Sequence, residues 1–179
     1  MPCLLLLLGA AAPGFGTTVR VTTNSEVLEG ILSPTQGVAE FRGIPYAAPP
    51  VGERRWRAPL PLPRRLGRRD ATHFAAGCYQ DGYNTAWYRQ VGAAFGAPAA
   101  TFTDPPFSED CLYLNVYAPW PVRGSSHPVL VWFHGGSNRA GWSFEEDYRG
   151  GELAARTGLI VVTVGYRLGI FGFMSHPDL

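Results

Sequence analysis

The backbone of one short loop is the part of this sequence best suited to chemistry. In the stretch VLVWFHGGSNRAG, residues 129–141, five apolar residues are followed at once by His134 and the pair Gly135-Gly136. Glycine accepts positive φ angles and lets a ligand approach bare amides, so such a loop can offer N–H donors to a developing negative charge. Taken alone, however, a His-Gly-Gly stretch is better explained as a plain tight turn.

The elements on either side of this loop indicate a parallel sheet. VLVWF and LIVVTV are short, continuous apolar runs rich in β-branched residues, which is typical of central strands covered on both faces. Between them, FEEDYRGGELAART has an acidic start and an Ala, Leu and Arg finish, which predict a helix from about Tyr148 to Arg156 with Gly158 as its stop. Ligands bind at the carboxyl ends of parallel strands, where the glycine pair is expected to lie.

Antiparallel strands are predicted earlier in the chain. TTVRVTT and EVLEGIL flank the short turn Asn24-Ser25 and suggest a hairpin, to which VAEFRGI adds a third strand. In LYLNVYAP, leucine and valine alternate with tyrosine and asparagine, which indicates a strand with one well-buried face. Between Pro45 and Asp110 the helical and strand signals are weak.

One crossover helix is too little cover for a doubly covered parallel sheet. At least two strands need both faces buried, and the chain closes with the Gly-rich and aromatic stretch GYRLGIFGFMSHPDL. We therefore expect the polypeptide to be the front part of a larger domain.

Composition is that of a globular protein and excludes some partner classes. Of the 179 residues, 46% are hydrophobic and 13% aromatic, and the formal charge of +1 gives no indication of a nucleic-acid partner. Arginines crowd into residues 54–69, but the prolines of residues 45–63 prevent a basic helix there. A solvated or ion-paired face explains these arginines better than a polyanion site.

The N-terminus resembles a secretory signal. The apolar block Leu4–Ala12 is too short to span a bilayer, and small residues allow cleavage near Ala12 or Gly16. We expect residues 1–16 to be a signal peptide and the protein to be secreted or to lie in the endoplasmic reticulum lumen. The alternative is a buried N-terminal segment, since no Lys or Arg precedes Arg20.

Cysteine counting follows from that expectation. If Cys3 leaves with the signal peptide, Cys78 and Cys111 remain as an even pair in an oxidising compartment. A bridge across a loop of that length would stabilise the fold by about 3 kcal/mol. Two buried thiols are the alternative, and they require a reducing compartment.

Three separated motifs occur in one order along the chain. They are GVAEFRGIPYAAPPVGERRWRAP (37–59), SEDCLYLNVYAP (108–119), and VLVWFHGG followed by VVTVGYRLGIFGF (161–173). Together they resemble the type-B carboxylesterase and cholinesterase family of α/β hydrolases. The resemblance covers nearly all of residues 17–179, as the N-terminal part of a carboxylesterase domain. It implies a truncated α/β-hydrolase fold, with N-terminal antiparallel strands and the first parallel strands of a mixed sheet.

The same resemblance implies roles for individual residues. Gly135 and Gly136 match the oxyanion-hole glycines, and His134 is expected to shape their turn rather than act as the catalytic base. Cys78 and Cys111 match a family disulfide. A structural ion pair is implied between the arginine of the R-W step, Arg55, and the glutamate of S-E-D, Glu109. Phe133, Trp142 and Tyr166 are expected in the core or pocket wall. No cofactor or metal is implied.

The nucleophile is not found in this sequence. The elbow G-x-S-x-G occurs nowhere in it, and the family places its serine, acid and histidine further along the chain. The resemblance therefore implies a serine esterase for small-molecule esters, of which this chain carries the oxyanion loop and no catalytic side chain. Two alternatives stay open. HGGS is also carried by non-catalytic, neuroligin-like adhesion relatives, and the chain itself can be an inactive short isoform.

Overall fold

The computed structural model describes residues 17–33, 36–64, 66–122 and 126–177, so the predicted signal peptide of residues 1–16 lies outside the described residues. The strands are β1 Thr18–Thr22, β2 Val27–Ser33, β3 Val38–Pro45, β4 Arg68–Asp70, β5 Gly77–Cys78, β6 Phe107–Ser108, β7 Tyr113–Pro119, β8 Val129–Phe133 and β9 Ile160–Val164. The α-helices are α1 Tyr83–Ala94, α2 Gly151–Thr157 and α3 Gly169–Phe173.

The main sheet is mixed, as the sequence predicts. Its strands lie in the order β1-β2-β3-β7-β9-β8, with β4 pairing parallel to β2. The predicted hairpin is β1 and β2, and the predicted third strand is β3. Pairing is antiparallel from β1 through β9, and only then do β9 and β8 pair in parallel. The sheet thus changes from antiparallel to parallel beside the glycine loop.

The crossover helix is shorter than predicted and begins later. Glu146–Tyr148 forms a 3-10 turn, and α2 begins at Gly151. The residue just before α2, Gly150, packs closely against β9: a Cβ there would lie 2.5 Å from Val161 Cγ1. Gly158 ends the helix with φ +73°, as predicted, because glycine takes the left-handed conformation without a steric cost.

The most buried face of β7 is the one that carries tyrosine and asparagine. Tyr117 and Asn115 are 1% and 2% exposed, whereas Leu114 and Val116 on the other face are only half-buried. Asn115 tolerates burial because its amide is fully used: Oδ1 accepts from Gly43 N–H at 2.9 Å, and Nδ2 donates to two hydroxyl oxygens. Hydropathy alternation predicts this strand and its one well-buried face, but it does not identify which face is buried.

Those hydroxyls belong to Ser143 Oγ at 3.2 Å and Thr163 Oγ1 at 3.1 Å. Thr163 lies on β9, and Ser143 lies in the segment after the glycine loop. The single amide of Asn115 therefore ties β3, β7, β9 and that segment together.

Helix α1 falls in the region where the sequence gives only weak signals. Of its residues only Thr85 is buried, so the helix lacks the apolar stripe that would have identified it. Long-range hydrogen bonds hold it instead: Thr85 Oγ1 donates to Asp104, Tyr88 OH donates to Glu145, and Arg89 Nε donates to Phe102 O at 2.9 Å.

Strand β8 differs most from expectation. The sequence predicts a central strand covered on both faces, but β8 lies at the edge of the sheet within the described part of the chain. Val129, Val131 and Phe133 are 57%, 52% and 62% exposed. Strand β9 lies between β7 and β8, so only β9 has the central place predicted for both strands. An apolar edge strand of this kind is rare on a complete soluble domain.

Candidate oxyanion site

Parallel pairing brings two loops together at one end of the sheet. Phe133 of β8 lies opposite Val164 of β9, and both strands end there. His134 and Tyr166 follow these ends and stack on each other, with ring centroids 4.5 Å apart and planes 20° from parallel. The carboxyl end of the parallel pair is therefore built from a histidine and a tyrosine in contact.

Two consecutive carbonyl groups of the glycine loop are held by these side chains. Tyr166 OH donates to His134 O at 2.6 Å, and His134 Nδ1 donates to Gly135 O at 2.8 Å. In a planar trans peptide the N–H points opposite to the C=O. Holding the His134 carbonyl therefore fixes the direction of Gly135 N–H, and holding the Gly135 carbonyl fixes that of Gly136 N–H.

A third amide follows the same rule. Gly136 O accepts hydrogen bonds from the N–H groups of Arg139 and Ala140, both at 3.0 Å, and this fixes the direction of Ser137 N–H. Among the residues that the structure describes, no oxygen accepts a hydrogen bond from the N–H of Gly135, Gly136 or Ser137. Three successive donors are therefore available to a ligand.

The backbone conformation explains the glycine at position 136. Its φ is +106°, and a Cβ there would lie 1.9 Å from Ala140 O, which no side chain can tolerate. Ser137 and Asn138 continue with φ of +57° and +58°. Non-glycine residues are uncommon in this region, although asparagine enters it more readily than most. Gly135 differs, because a Cβ there would meet nothing within 4 Å.

His134 is a neutral positioning group in this geometry. It is 3% exposed, and this burial lowers the pKa of its imidazole. Because a carbonyl oxygen only accepts hydrogen bonds, the contact with Gly135 O requires the tautomer with the proton on Nδ1. That nitrogen is occupied by the backbone, which fits a residue that shapes the turn.

The two cysteines named from the sequence are bonded to each other. The S–S distance between Cys78 and Cys111 is 1.99 Å, and their Cα atoms are 4.9 Å apart. Both are buried in a small cluster with Ala47, Leu112 and Leu168. This cluster lies beneath the segment that follows β9.

Arg55 and Glu109 are also together, but the pair is half-exposed rather than buried. Arg55 Nε lies 2.6 Å from Glu109 Oε2, with side-chain exposures of 36% and 29%. The N–H is not aimed at the oxygen, so the contact is an ion pair without an aligned hydrogen bond. The guanidinium also lies over the rings of Trp56 and Phe171, at 4.4 and 5.3 Å. The pair anchors loops and does not touch the three amides.

Glu145 is a buried carboxylate that the sequence analysis did not single out. It is 6% exposed, and burial raises its pKa. Its oxygens accept from Trp142 N–H, from Asn84 Nδ2 and from Tyr88 OH. A cavity of about 320 Å³ lies beside it, against α1. Because all its partners are structural, Glu145 links α1 to the segment after the glycine loop.

The arrangement of the loop suits one kind of chemistry. Preorganised N–H donors aimed at a developing oxyanion are each worth about 3 kcal/mol of activation free energy in acyl transfer. Within the described ranges, no group of three or more His, Cys, Asp or Glu side chains could hold a metal ion. None of the helices in that part of the chain is long and apolar enough to cross a membrane.

Comparison with known proteins decides the family. A family model described as carboxylesterase family matches residues 17–178. The chain belongs to the carboxylesterase family. Solved structures of the family agree with its fold: a thermophilic PNB esterase superimposes with a TM-score of 0.76 at 38% identity, over 90% of this chain and 30% of that one. The predicted family and the predicted α/β-hydrolase fold are thus both confirmed.

Curated members of the carboxylesterase family are similar over the same region. The fumonisin B1 esterase of Sphingopyxis macrogoltabida is 40% identical over 157 residues, which is 88% of this chain and 26% of that protein. The cocaine esterase of Homo sapiens is 38% identical over 179 residues, 98% of this chain and 31% of that protein. The chain thus spans between a quarter and a third of the length of these relatives.

Tyr166 is the residue of this candidate site to which sequence reasoning assigned no positioning role. Tyr166 was expected only in the core or pocket wall, yet its hydroxyl holds the first carbonyl of the loop. Its signal was present in the sequence, because the residues just after two neighbouring parallel strands lie at the same edge of the sheet, and Tyr166 comes two residues after β9.

The steric argument at Gly136 makes a testable prediction. Gly136→Ala is expected to lower the free energy of unfolding by about 2–3 kcal/mol, because alanine is strained at a positive φ and its Cβ would clash with Ala140 O. Gly135→Ala is the matched control and is expected to change it by less than about 0.5 kcal/mol, since open space surrounds that position. Urea unfolding of the two variants in the full-length protein measures the difference, and equal losses would contradict the geometry.

Proposed function

We propose that this chain is the N-terminal part of a serine carboxylic ester hydrolase and that the loop after β8 supplies its oxyanion hole. Gly135 and Gly136 are the proposed N–H donors, with Ser137 N–H next to them. The observation that carries the proposal is the set of held carbonyls: each of the three peptides is fixed through its carbonyl, and its N–H has no acceptor in the described chain.

The proposed reaction proceeds through an acyl-enzyme. A serine oxygen supplied by the rest of the protein attacks the ester carbonyl carbon, and its proton passes to a histidine base. The carbonyl oxygen gains negative charge and is stabilised by the amides of the loop. Collapse expels the alcohol, which takes the proton from histidine, and water then releases the acid by the same two steps. None of the three catalytic side chains is proposed to lie in this chain.

The exposed edge of the sheet supports the proposal that further chain completes the domain. Strand β8 leaves Val129, Val131 and Phe133 more than half exposed, and its outer edge has no strand beside it in the described residues. A strand and covering helices from the remainder of the protein would bury this surface. We propose that the 179 residues alone are inactive because they lack the nucleophile.

The disulfide and the ion pair are proposed to be structural. The disulfide joins Cys78 to Cys111, and the ion pair joins Arg55 to Glu109. Each is proposed to anchor a loop beside the site. A disulfide favours an oxidising compartment, so we propose that the protein is secreted or resides in the endoplasmic reticulum lumen. The proposed substrates are small-molecule esters.

A non-catalytic adhesion protein is the second candidate. The sequence Ser137-Asn138-Arg139 favours it, because HGGS also occurs in adhesion relatives and Asn-Arg replaces the small residues usual in esterases. The loop geometry serves either candidate equally well, since it depends on backbone groups. The presence of a nucleophile in the complete protein separates the two.

Activity of the full-length gene product tests the proposal directly. We expect it to hydrolyse p-nitrophenyl esters and to lose this activity when one equivalent of an organophosphate is bound. The exposed Glu152→Gln variant on α2 serves as a control and is expected to keep full activity. An elbow without serine in the complete sequence, or the absence of turnover in folded protein, would favour the adhesion candidate.

The chain on its own makes a second prediction. Residues 17–179 expressed alone are expected to bind the dye ANS strongly and to unfold without a cooperative thermal transition, because β8 exposes an apolar face. The double variant Val129→Thr, Val131→Thr is expected to bind less dye. A sharp, cooperative transition of the unmodified fragment would show that it folds independently of any further chain.

A further inference from the structure

The side-chain amide of Gln80 makes two hydrogen bonds to the backbone of one residue of the glycine loop, Gly141. Gln80 Nε2 donates to Gly141 O at 2.7 Å, and Gly141 N–H donates to Gln80 Oε1 at 2.8 Å. The amide thus satisfies both polar groups of one residue, as a neighbouring strand would. Nε2 also donates to Cys78 O at 3.0 Å, so each polar atom of this amide is used.

Gly141 is in direct contact with the peptide that carries the central donor. Its φ is +106°, and a Cβ there would lie 2.6 Å from His134 Nδ1 and 2.8 Å from Gly135 O. The Cα of Gly141 therefore packs against the hydrogen bond that holds the Gly135 carbonyl. That carbonyl and Gly136 N–H belong to the same planar peptide, so a shift of Gly141 changes the direction of the N–H.

Gln80 itself is fixed to a rigid part of the molecule. It follows two residues after Cys78, whose disulfide to Cys111 and whose strand β5 tie it to the core. The adjacent residue Asp81 makes an exposed ion pair of 2.5 Å with Arg139, inside the glycine loop. An exposed pair of this kind adds little, so the positioning rests on the amide of Gln80.

We propose that Gln80 is a positioning residue for the oxyanion loop. Its amide holds Gly141 in place and thereby keeps the Gly135 carbonyl and the Gly136 N–H at the angle that acyl transfer needs. The inference rests on the proposed esterase function for its catalytic consequence. Holding both Gly141 O and Gly141 N–H requires a side chain that donates with one atom and accepts with another, which an amide does and an ionised carboxylate does not.

Gln80→Glu in the full-length protein tests this requirement. The ionised carboxylate accepts from Gly141 N–H but repels Gly141 O, whereas the protonated acid has one O–H donor and one acceptor, enough to restore both hydrogen bonds to Gly141 although not the one to Cys78 O. At pH 8 we expect kcat to fall by about tenfold to a hundredfold with little change in KM. The ratio of variant to wild-type kcat is expected to rise as pH falls toward the carboxyl pKa, about 4.3 in free glutamate.

Two further variants separate positioning from a merely structural role. Gln90→Glu makes the same change on the exposed side of α1, and its kcat ratio is expected to stay near one at every pH. Gln80→Ala removes both hydrogen bonds to Gly141. It is expected to lower kcat by a similar factor, and the ratio of variant to wild-type kcat is expected not to depend on pH. A Gln80→Glu ratio that is flat with pH, or equal to one, would overturn the proposal.

Hydrogen exchange keeps this test distinct from that of the esterase function. At pH 8 the Gly141 amide in the Gln80→Ala variant is expected to exchange at least about tenfold faster than in wild type or in Gln90→Glu, because the amide loses its acceptor. If the full-length protein fails to hydrolyse esters, the esterase proposal fails while this measurement still decides the positioning. Equal exchange rates in all three proteins would overturn the role of Gln80.

Discussion

The planarity of three successive peptides is the constraint on which the site depends. The donors proposed for the oxyanion are backbone N–H groups, and a backbone N–H is aimed by holding the carbonyl of the same peptide. Tyr166 OH holds the first carbonyl, His134 Nδ1 the second, and the turn amides of Arg139 and Ala140 the third.

The rest of the structure keeps those holding groups in register. Pairing of β8 with β9 places His134 beside Tyr166, and their stacked rings are buried enough for the imidazole to stay neutral. The amide of Asn115 links the sheet to Ser143, just beyond the loop. On the outer side, the disulfide places Gln80 against Gly141. The loop is thus fixed at its start by the sheet and at its end by the cysteine-linked segment.

Patterns that depend on local backbone chemistry could be predicted from the sequence. The hairpin, the third strand, the apolar runs and the stop at Gly158 follow from alternation, turn residues and glycine, and the three ordered motifs identified the family. Helix α1 could not be predicted, because hydrogen bonds to distant residues hold it in place of an apolar stripe. Alternation predicted that one face of β7 is well buried but not which one, because Asn115 is buried by its hydrogen bonds rather than by hydropathy.

The candidate site was predictable only in part, for a related reason. Gly135 and Gly136 stand out as bare glycines after a strand, whereas the roles of Tyr166 and Gln80 arise from contacts 32 and 61 residues away in sequence. The exposure of β8 agrees with the sequence, because one crossover helix is too little cover for two apolar strands; only its place at the sheet edge differs from the central position predicted. Conformation at a glycine is encoded locally, but the groups that hold its carbonyls are brought together by the sheet.

Replacement of Tyr166 by phenylalanine in the full-length protein tests the central claim most directly. The variant keeps the ring against His134 and removes only the hydroxyl that holds the His134 carbonyl. Loss of one such hydrogen bond is worth about 1 kcal/mol, so the affinity for a trifluoromethyl ketone, which forms a tetrahedral oxyanion, should fall about fivefold, and kcat/KM by the same factor. Unchanged affinity for the ketone in a folded Tyr166→Phe protein would contradict the claim that held carbonyls aim the donors.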